Sequence, residues 1–242
     1  MHRHSLSIFA GLLVLALTGC AHAPITKDAD PRILLEQTCG PAAPGTAVTA
    51  ASGTVWLKAK SKEASGQFPA TVQVKSPDSL HLEVTNLLGA SEAIIRIEGK
   101  KYTVESSGRK KAPRLQEQGY HSWGGIPLHF ATDLFLGRIP CPGPEARRDA
   151  GSSVTAQGEL VVRTRASLDR EEEQFTYAFR QWAGTPWPES LIWERKGTVP
   201  MAVHFKFDDP EEGTKSPRKW EAKSSLGTGE IKVRWRDRDA VH

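Results

Sequence analysis

The chain has 242 residues, with 32 Lys+Arg against 28 Asp+Glu, a net charge of +4 and 38% apolar residues. That length fits one domain or one large sheet. The basic excess is mild and spread out, whereas nucleic-acid binding calls for a basic stripe with stacking aromatics, so no nucleic-acid partner is expected.

At the N-terminus Met1-His-Arg-His-Ser precedes the apolar run Ile8–Leu17 and then Thr18-Gly19-Cys20. A short positive start followed by about ten apolar residues is an export signal. The run is shorter than the roughly 17–25 residues that span a bilayer. Leu17-Thr18-Gly19-Cys20 resembles the bacterial lipobox, with small residues before a cysteine whose thiol carries the lipid. Residues 1–19 are therefore expected to be a lipoprotein signal peptide and Cys20 the lipidation site. Two membrane signals suffice for stable anchoring, so a multiply acylated Cys20 holds firmly. Residue 21 is Ala, not the Asp that in many enteric bacteria marks inner-membrane retention. The expected location is the outer membrane, lipid-anchored and facing the periplasm.

Removing residues 1–19 takes away one cation, Arg3, and leaves a charge of +3. With Cys20 lipidated, Cys39 and Cys141 remain as a pair in an oxidising compartment. Bridging them would close a loop of about a hundred residues, worth up to roughly 4–5 kcal/mol in the chain-entropy model. Sequence leaves open whether they meet or are two unrelated buried thiols, and their spacing matches no zinc pattern.

Residues 20–52 read as a lipidated tether with a short N-terminal helix: a polar stretch over 21–30, the helix from Pro31 to Thr38, and a Gly/Ala/Pro/Thr-rich linker over 40–53. From Gly53 the apolar period is two. Val55/Leu57/Ala59, Val72/Val74, Leu80/Leu82/Val84, Ala93/Ile95/Ile97 and Tyr102/Val104 alternate with polar residues, separated by turn chemistry at Ser76-Pro-Asp-Ser, Asn86–Gly89 and Gly99. That is an antiparallel meander. Pro127–Gly137 then places Leu128, Ala131 and Leu134/Phe135 at helical spacing, with Pro at the start and Gly at the end. Strands resume at Leu160/Val162, Phe175/Tyr177/Phe179, Leu191/Trp193, Met201–Phe207, Trp220/Ala222 and Ile231/Val233/Trp235. The predicted class is α+β: a strongly curved antiparallel β-sheet of about eleven strands, an unclosed half-barrel over 53–242, with helices covering its concave face.

This order of parts resembles the LolA/LolB lipoprotein-localisation family, the outer-membrane receptor LolB more than its periplasmic carrier LolA. The likeness rests on Leu82-Glu-Val-Thr-Asn-Leu-Leu-Gly-Ala-Ser-Glu-Ala-Ile-Ile95, on Trp123-Gly-Gly-Ile-Pro-Leu128, on Phe135-Leu-Gly-Arg-Ile-Pro140, and on Phe175-Thr-Tyr-Ala-Phe179 through Pro188–Glu194. It covers about residues 53–208. The family's Thr-Asn-Pro-Leu-Gly loop has Leu87 in place of the proline and Leu88 as its protruding leucine. The N-terminal helix lacks the family's tryptophan motifs, and residues 209–242 do not align. The resemblance implies an acyl-binding hollow lidded by helices, no cofactor, a LolA-type carrier and outer-membrane lipid as partners, and a function of receiving lipoproteins and inserting them into the outer membrane. A monomer is expected. The alternative is a non-catalytic envelope interaction lipoprotein using the same fold without lipid transfer.

Two readings follow for each candidate site. Leu87-Leu88-Gly89 forms a membrane-insertion loop, or both leucines fold back under the sheet. Leu57, Val72, Leu82, Ile95, Leu134, Val162, Tyr177, Trp193 and Val203 line an acyl cavity, or they form a filled core. Trp182 and Trp187 sit at a cavity mouth or simply pack. Asp208-Asp209 with Glu211-Glu212 could hold a hard cation loosely, or form a solvated turn. The clusters Arg109-Lys110-Lys111 and Lys232/Arg234/Arg236/Arg238 are solvated edges, with weak attraction to anionic headgroups as the functional remainder. Gly-x-Ser-x-Gly, His-Glu-x-x-His and phosphate-cradling loops are missing, and His121 and His129 lack the partners of a ligand set, so no enzyme is expected.

Overall fold

The computed structural model describes residues 25–60, 65–106, 114–123, 125–167, 171–226 and 229–242. The lipidation expectation at Cys20 and the Arg109-Lys110-Lys111 cluster lie outside these residues.

Pro31 at the first position and Asp30 as cap start helix α1 (Pro31–Cys39); Asp30 Oδ1 accepts from Arg32 N at 2.7 Å. Its buried side carries Leu34, Leu35, Thr38 and Cys39. Strands β1 (Ala50–Lys60), β2 (Ser65–Lys75), β3 (Ser79–Thr85), β4 (Ser91–Glu98), β5 (Lys101–Ser106) and β6 (Arg114–Tyr120) follow as a meander. The two-residue strands β7 (Ser122–Trp123) and β8 (Ile126–Pro127) pair with each other and lead into helix α2 (Leu128–Phe135). After helix α3 (Pro144–Arg148) come β9 (Gly151–Val154), β10 (Leu160–Arg163), β11 (Glu172–Trp182), β12 (Thr185–Lys196), β13 (Met201–Pro210), β14 (Pro217–Ser224) and β15 (Glu230–Val241).

Among the described residues thirteen strands, not eleven, form one antiparallel sheet in the order β6-β5-β4-β3-β2-β1-β15-β14-β13-β12-β11-β10-β9. The two strands that the periodicity misses are the end strands. β6 is exposed along nearly its whole length, and β9 reads Gly-Ser-Ser-Val. An end strand has one neighbour and little to bury, so it need not carry an alternating apolar pattern. The sheet is open, since β6 and β9 do not pair.

Residues 209–242 hold the centre of this sheet. β15 pairs with β1 along eleven positions and with β14 on its other side, so β14 and β15 join the β1–β6 half to the β9–β13 half. The same register contains a bulge: Val55 faces Trp235 but Thr54 faces Asp237, leaving Arg236 as the extra residue. A bulge inserts one residue and reverses which face the following side chains take. Asp237 therefore points outward to the Thr54 backbone N and hydroxyl, at 2.6 and 2.7 Å, and Arg238 turns inward. The Lys232/Arg234/Arg236/Arg238 alternation is accordingly not one solvated edge: the Arg238 side chain is 1% exposed.

The stretch over 40–53 is not a free linker. The sheet begins at Ala50, and Ala43, Pro44 and Gly45 are buried. Gly45, at φ +72°, donates to Thr214 O, and a Cβ there would meet Gly137 O at 2.1 Å. Only glycine permits that approach of two backbones. Nor is the described end of the expected tether loose, because the buried Thr26 hydroxyl donates to Gly158 O.

Candidate functional site

Helix α2 organises the interior. It ends as the sequence predicts: Gly137 takes φ +73°, its N–H reaches Leu134 O at 3.1 Å, and Arg138 N reaches Asp133 O at 2.8 Å. That pair of bonds is a Schellman motif. Phe130 projects into a ring of aromatics, edge-on to Trp193, Phe205 and Phe175 with centroids at 5.3, 6.1 and 6.2 Å. One turn on, Phe135 meets Trp220 and Trp235 edge-on at 5.3 and 6.5 Å. Edge-to-face aromatic pairs contribute about 0.5–1.5 kcal/mol each beyond their burial.

Beside this plug lies an apolar cavity of about 100 Å³. Its walls come from Leu57 and Ala59 on β1, Leu80 and Leu82 on β3, Trp123 and Ile126 on β7 and β8, Ala131, Leu134 and Phe135 on α2, and Trp220 and Ile231 on β14 and β15. A residual void of that size forfeits about 2 kcal/mol of packing at ~24 cal/mol per Å³. It is smaller than the roughly 300–1,000 Å³ of a ligand pocket, so a long acyl chain needs α2 to shift.

Of the nine residues expected to line an acyl cavity, Leu57, Leu82 and Leu134 line this apolar cavity. Val72, Ile95, Val162, Tyr177, Trp193 and Val203 do not line this cavity and belong to the packed core. The cause for Trp193 is the Phe130 ring that fills the space beside it. Tyr177 is held by polar contacts: its hydroxyl donates to Pro140 O at 2.9 Å and lies 3.6 Å from both Cys39 Sγ and Cys141 Sγ. Complete burial raises the Tyr177 hydroxyl well above its ordinary pKa. Cys39 and Cys141 form a disulfide that ties the end of α1 to the segment after α2.

The second feature is the β3–β4 turn. Leu87 and Leu88 are 78% and 83% exposed, the most exposed large apolar residues among those described. They do not fold back under the sheet, because Asn86 fixes the turn. Its Oδ1 accepts from Leu88 N and Ala90 N, both at 3.0 Å, and its Nδ2 donates to Glu92 Oε1 at 2.7 Å. Backbone bonds Asn86 N to Ala90 O and Gly89 N to Asn86 O, both 2.9 Å, complete it, with Gly89 at φ +78°. An asparagine that closes a turn on its own backbone and a glycine at positive φ need no leucine contact beneath them. The apolar pair is presented rather than consumed.

The remaining candidates resolve into structure. Trp187 is buried, donates to Lys215 O at 3.0 Å and carries the Arg180 guanidinium 4.8 Å above its ring. Trp182 packs against the core from the β11–β12 turn. Asp208 is taken by Arg180 and Lys219, at 3.1 and 3.3 Å, and Glu211 by Arg238 at 2.6 Å, so those carboxylates face protein cations. Among the described residues no group of three or more His, Cys, Asp and Glu is placed to hold a metal ion. No helix among them is long and apolar enough to cross a membrane. Sequence reasoning missed Ala59, Leu80, Trp123, Ile126, Ala131, Phe135, Trp220 and Ile231 in the cavity wall. The strand alternation marks Ala59 and Leu80 as inward-facing but not as neighbours of a void.

No protein-family model matches the sequence, and no curated protein matches it. Solved structures do. A DUF1329 family protein from Desulfovibrio piger is 8% identical with a TM-score of 0.50, over 87% of this chain and 90% of that one. A LolA superfamily protein from Nitrosomonas europaea is 10% identical with a TM-score of 0.47, over 88% and 94%. A putative outer membrane lipoprotein-sorting protein domain from Vibrio parahaemolyticus is 6% identical with a TM-score of 0.38, over 79% and 85%. At such identities the likeness is one of fold, and the open antiparallel sheet of this chain is shared with the Desulfovibrio protein over nearly its full length.

Proposed function

We propose that this protein is an acyl-binding lipoprotein acceptor, anchored at Cys20 in the outer membrane, which takes lipoproteins from a LolA-type periplasmic carrier and inserts them into the bilayer. The observation that carries this reading is the exposed pair Leu87-Leu88 on a turn locked by Asn86. Adjacent exposed leucines signal a contact. Full burial of two such side chains in lipid is worth roughly 3–6 kcal/mol. The apolar cavity between α2, β1, β3 and β14 supplies the place where acyl methylenes begin to enter, at about 0.8 kcal/mol for each one buried. Transfer of this kind is downhill burial with no bond broken, and the motif order from Leu82 to Glu194 points the same way.

The test uses the full chain titrated with a fluorescent fatty-acyl probe and assayed for lipoprotein delivery to vesicles, beside Ala131→Leu and Leu88→Glu. Saturable probe binding that Ala131→Leu abolishes, with delivery lost in Leu88→Glu while probe binding stays, supports the acceptor. Absence of probe binding rejects it. The small volume of the cavity and the six expected lining residues found in the packed core favour a second reading, an envelope interaction lipoprotein without lipid transfer. That reading requires Leu88→Glu to leave its function intact.

A further inference from the structure

We propose that the outward face of β13, β14 and β15 carries a seat for the phosphate of an anionic phospholipid headgroup, built by Lys206, Lys223 and Lys232. The proposal rests on the membrane role given to Leu87-Leu88 and names the kind of surface that role selects.

Strand register lines up the outward side chains in cross-strand rows. One row runs Lys58–Lys232–Glu221–Lys206, the next Lys60–Glu230–Lys223, and a third Arg234–Lys219–Asp208. These rows hold seven cationic side chains against three carboxylates, an excess as large as the net charge of +4 of the whole chain. The rest of the sequence carries 25 Lys+Arg (32 − 7) and 25 Asp+Glu (28 − 3), so its charges balance in number. Two of the facing pairs are like-charged, Lys58 with Lys232 and Lys219 with Arg234. Like charges directly opposite on neighbouring strands destabilise a sheet, so a fold gains nothing from them by itself.

Between the rows lies a groove of about 440 Å³, lined by Lys206, Lys223 and Lys232 together with the carboxylates Glu221 and Glu230, with His204 and Ser225 at its sides. Lys232 is bonded to Glu221 and Glu230, at 2.9 and 2.7 Å. Lys206 and Lys223 are exposed and form no ion pair among the described residues, which leaves two ammonium groups to meet an incoming anion. An anionic lipid surface is favoured as the occupant by position. The end of β14, beside Lys223, lies on the same rim of the antiparallel sheet as the end of β3 that leads into the Leu87-Leu88 turn, since β3, β1 and β14 all run towards that rim. The leucine pair and these cations therefore lie toward the same end of the strands. Apolar insertion plus basic attraction is the combination that holds peripheral proteins on anionic membranes.

The test is flotation of the full-length chain, carrying Cys20→Ala so that no acyl group is attached, with phosphatidylglycerol or phosphatidylcholine vesicles. Each lysine near an anionic surface contributes about fivefold in partitioning, so the pair should give a preference of about 30-fold for phosphatidylglycerol, weakening with salt. Lys206→Gln with Lys223→Gln should abolish that preference and leave acyl-probe binding unchanged; Lys206→Arg with Lys223→Arg should keep it. A preference retained in the glutamine pair, or no preference in the parent chain, overturns the proposal. Loss of acyl-probe binding in the parent chain instead strikes the acceptor reading, so the two failures are separate.

Discussion

Arg238 Nη1 lies 2.6 Å from Glu211 Oε2, while its Nη2 donates to Leu136 O at 2.5 Å, at the end of α2. One buried guanidinium thus joins the last strand, the β13–β14 loop and the helix that walls the cavity. Removing one partner of a buried ion pair leaves the other charge uncompensated, at a cost of about 3–5 kcal/mol. Arg238→Gln should lower the unfolding free energy by about 3 kcal/mol in urea titrations. Arg234→Gln, four residues earlier on the outward face, should change it by about 0.5 kcal/mol or less. Equal effects would mean that the inward turn of Arg238 is not what the fold uses.

The Cys39–Cys141 disulfide spans a sequence separation of 102. Closing a loop of about 100 residues stabilises by up to about 4.7 kcal/mol through the unfolded chain. Cys39→Ser with Cys141→Ser should shift the urea midpoint down by the equivalent of about 2–5 kcal/mol, and reductant should do the same to the parent but nothing to the variant. A reductant-insensitive parent would exclude the bridge.

Burial pushes the Asp133 carboxyl up from 3.8 to about 6, against the Arg138 guanidinium at 3.4 Å that pulls it down. A raised folded-state value means that the folded protein holds the proton more tightly. This site's stabilisation is complete below about pH 3.8 and is lost as pH rises through about 6. Acidifying from pH 7 to 5 should therefore raise the melting temperature through this group, by an amount corresponding to about 1–3 kcal/mol. Asp133→Asn should remove that contribution, so its melting temperature should depend less favourably on acidification than the parent's. Identical pH slopes in the two proteins would rule the effect out.

Tyr177→Phe deletes the hydroxyl that donates to Pro140 O and leaves that carbonyl without this donor. About 1–3 kcal/mol of stability should go with it, read by thermal or urea unfolding. An unchanged midpoint would show that the contact is dispensable.

The turn doublet should behave in the opposite way. Leu87→Ser with Leu88→Ser touches no core neighbour, so the unfolding midpoint should stay within about 0.5 kcal/mol while vesicle binding falls. A large loss of stability would mean that the leucines serve the fold.

What the sequence by itself determined is local and periodic. The alternation of Leu80/Leu82/Val84 or Ile95/Ile97 names a strand and its buried face, Pro127 and Gly137 bracket α2, and Asn86 with Gly89 marks the turn that presents two leucines. Each is read over a few residues, where backbone geometry dictates side-chain direction. The tertiary structure decided everything that depends on distant segments meeting. Residues 209–242 became the middle of the sheet because β15 found β1, about 180 residues away in sequence. A single bulge opposite Thr54 turned Arg238 inside, although its spacing matches that of the outward Arg234. Phe130 took space that the strand pattern would assign to a ligand, leaving about 100 Å³ open. Periodicity specifies which way a side chain points from its own strand, but the contents of an interior are set by which opposing side chains arrive there.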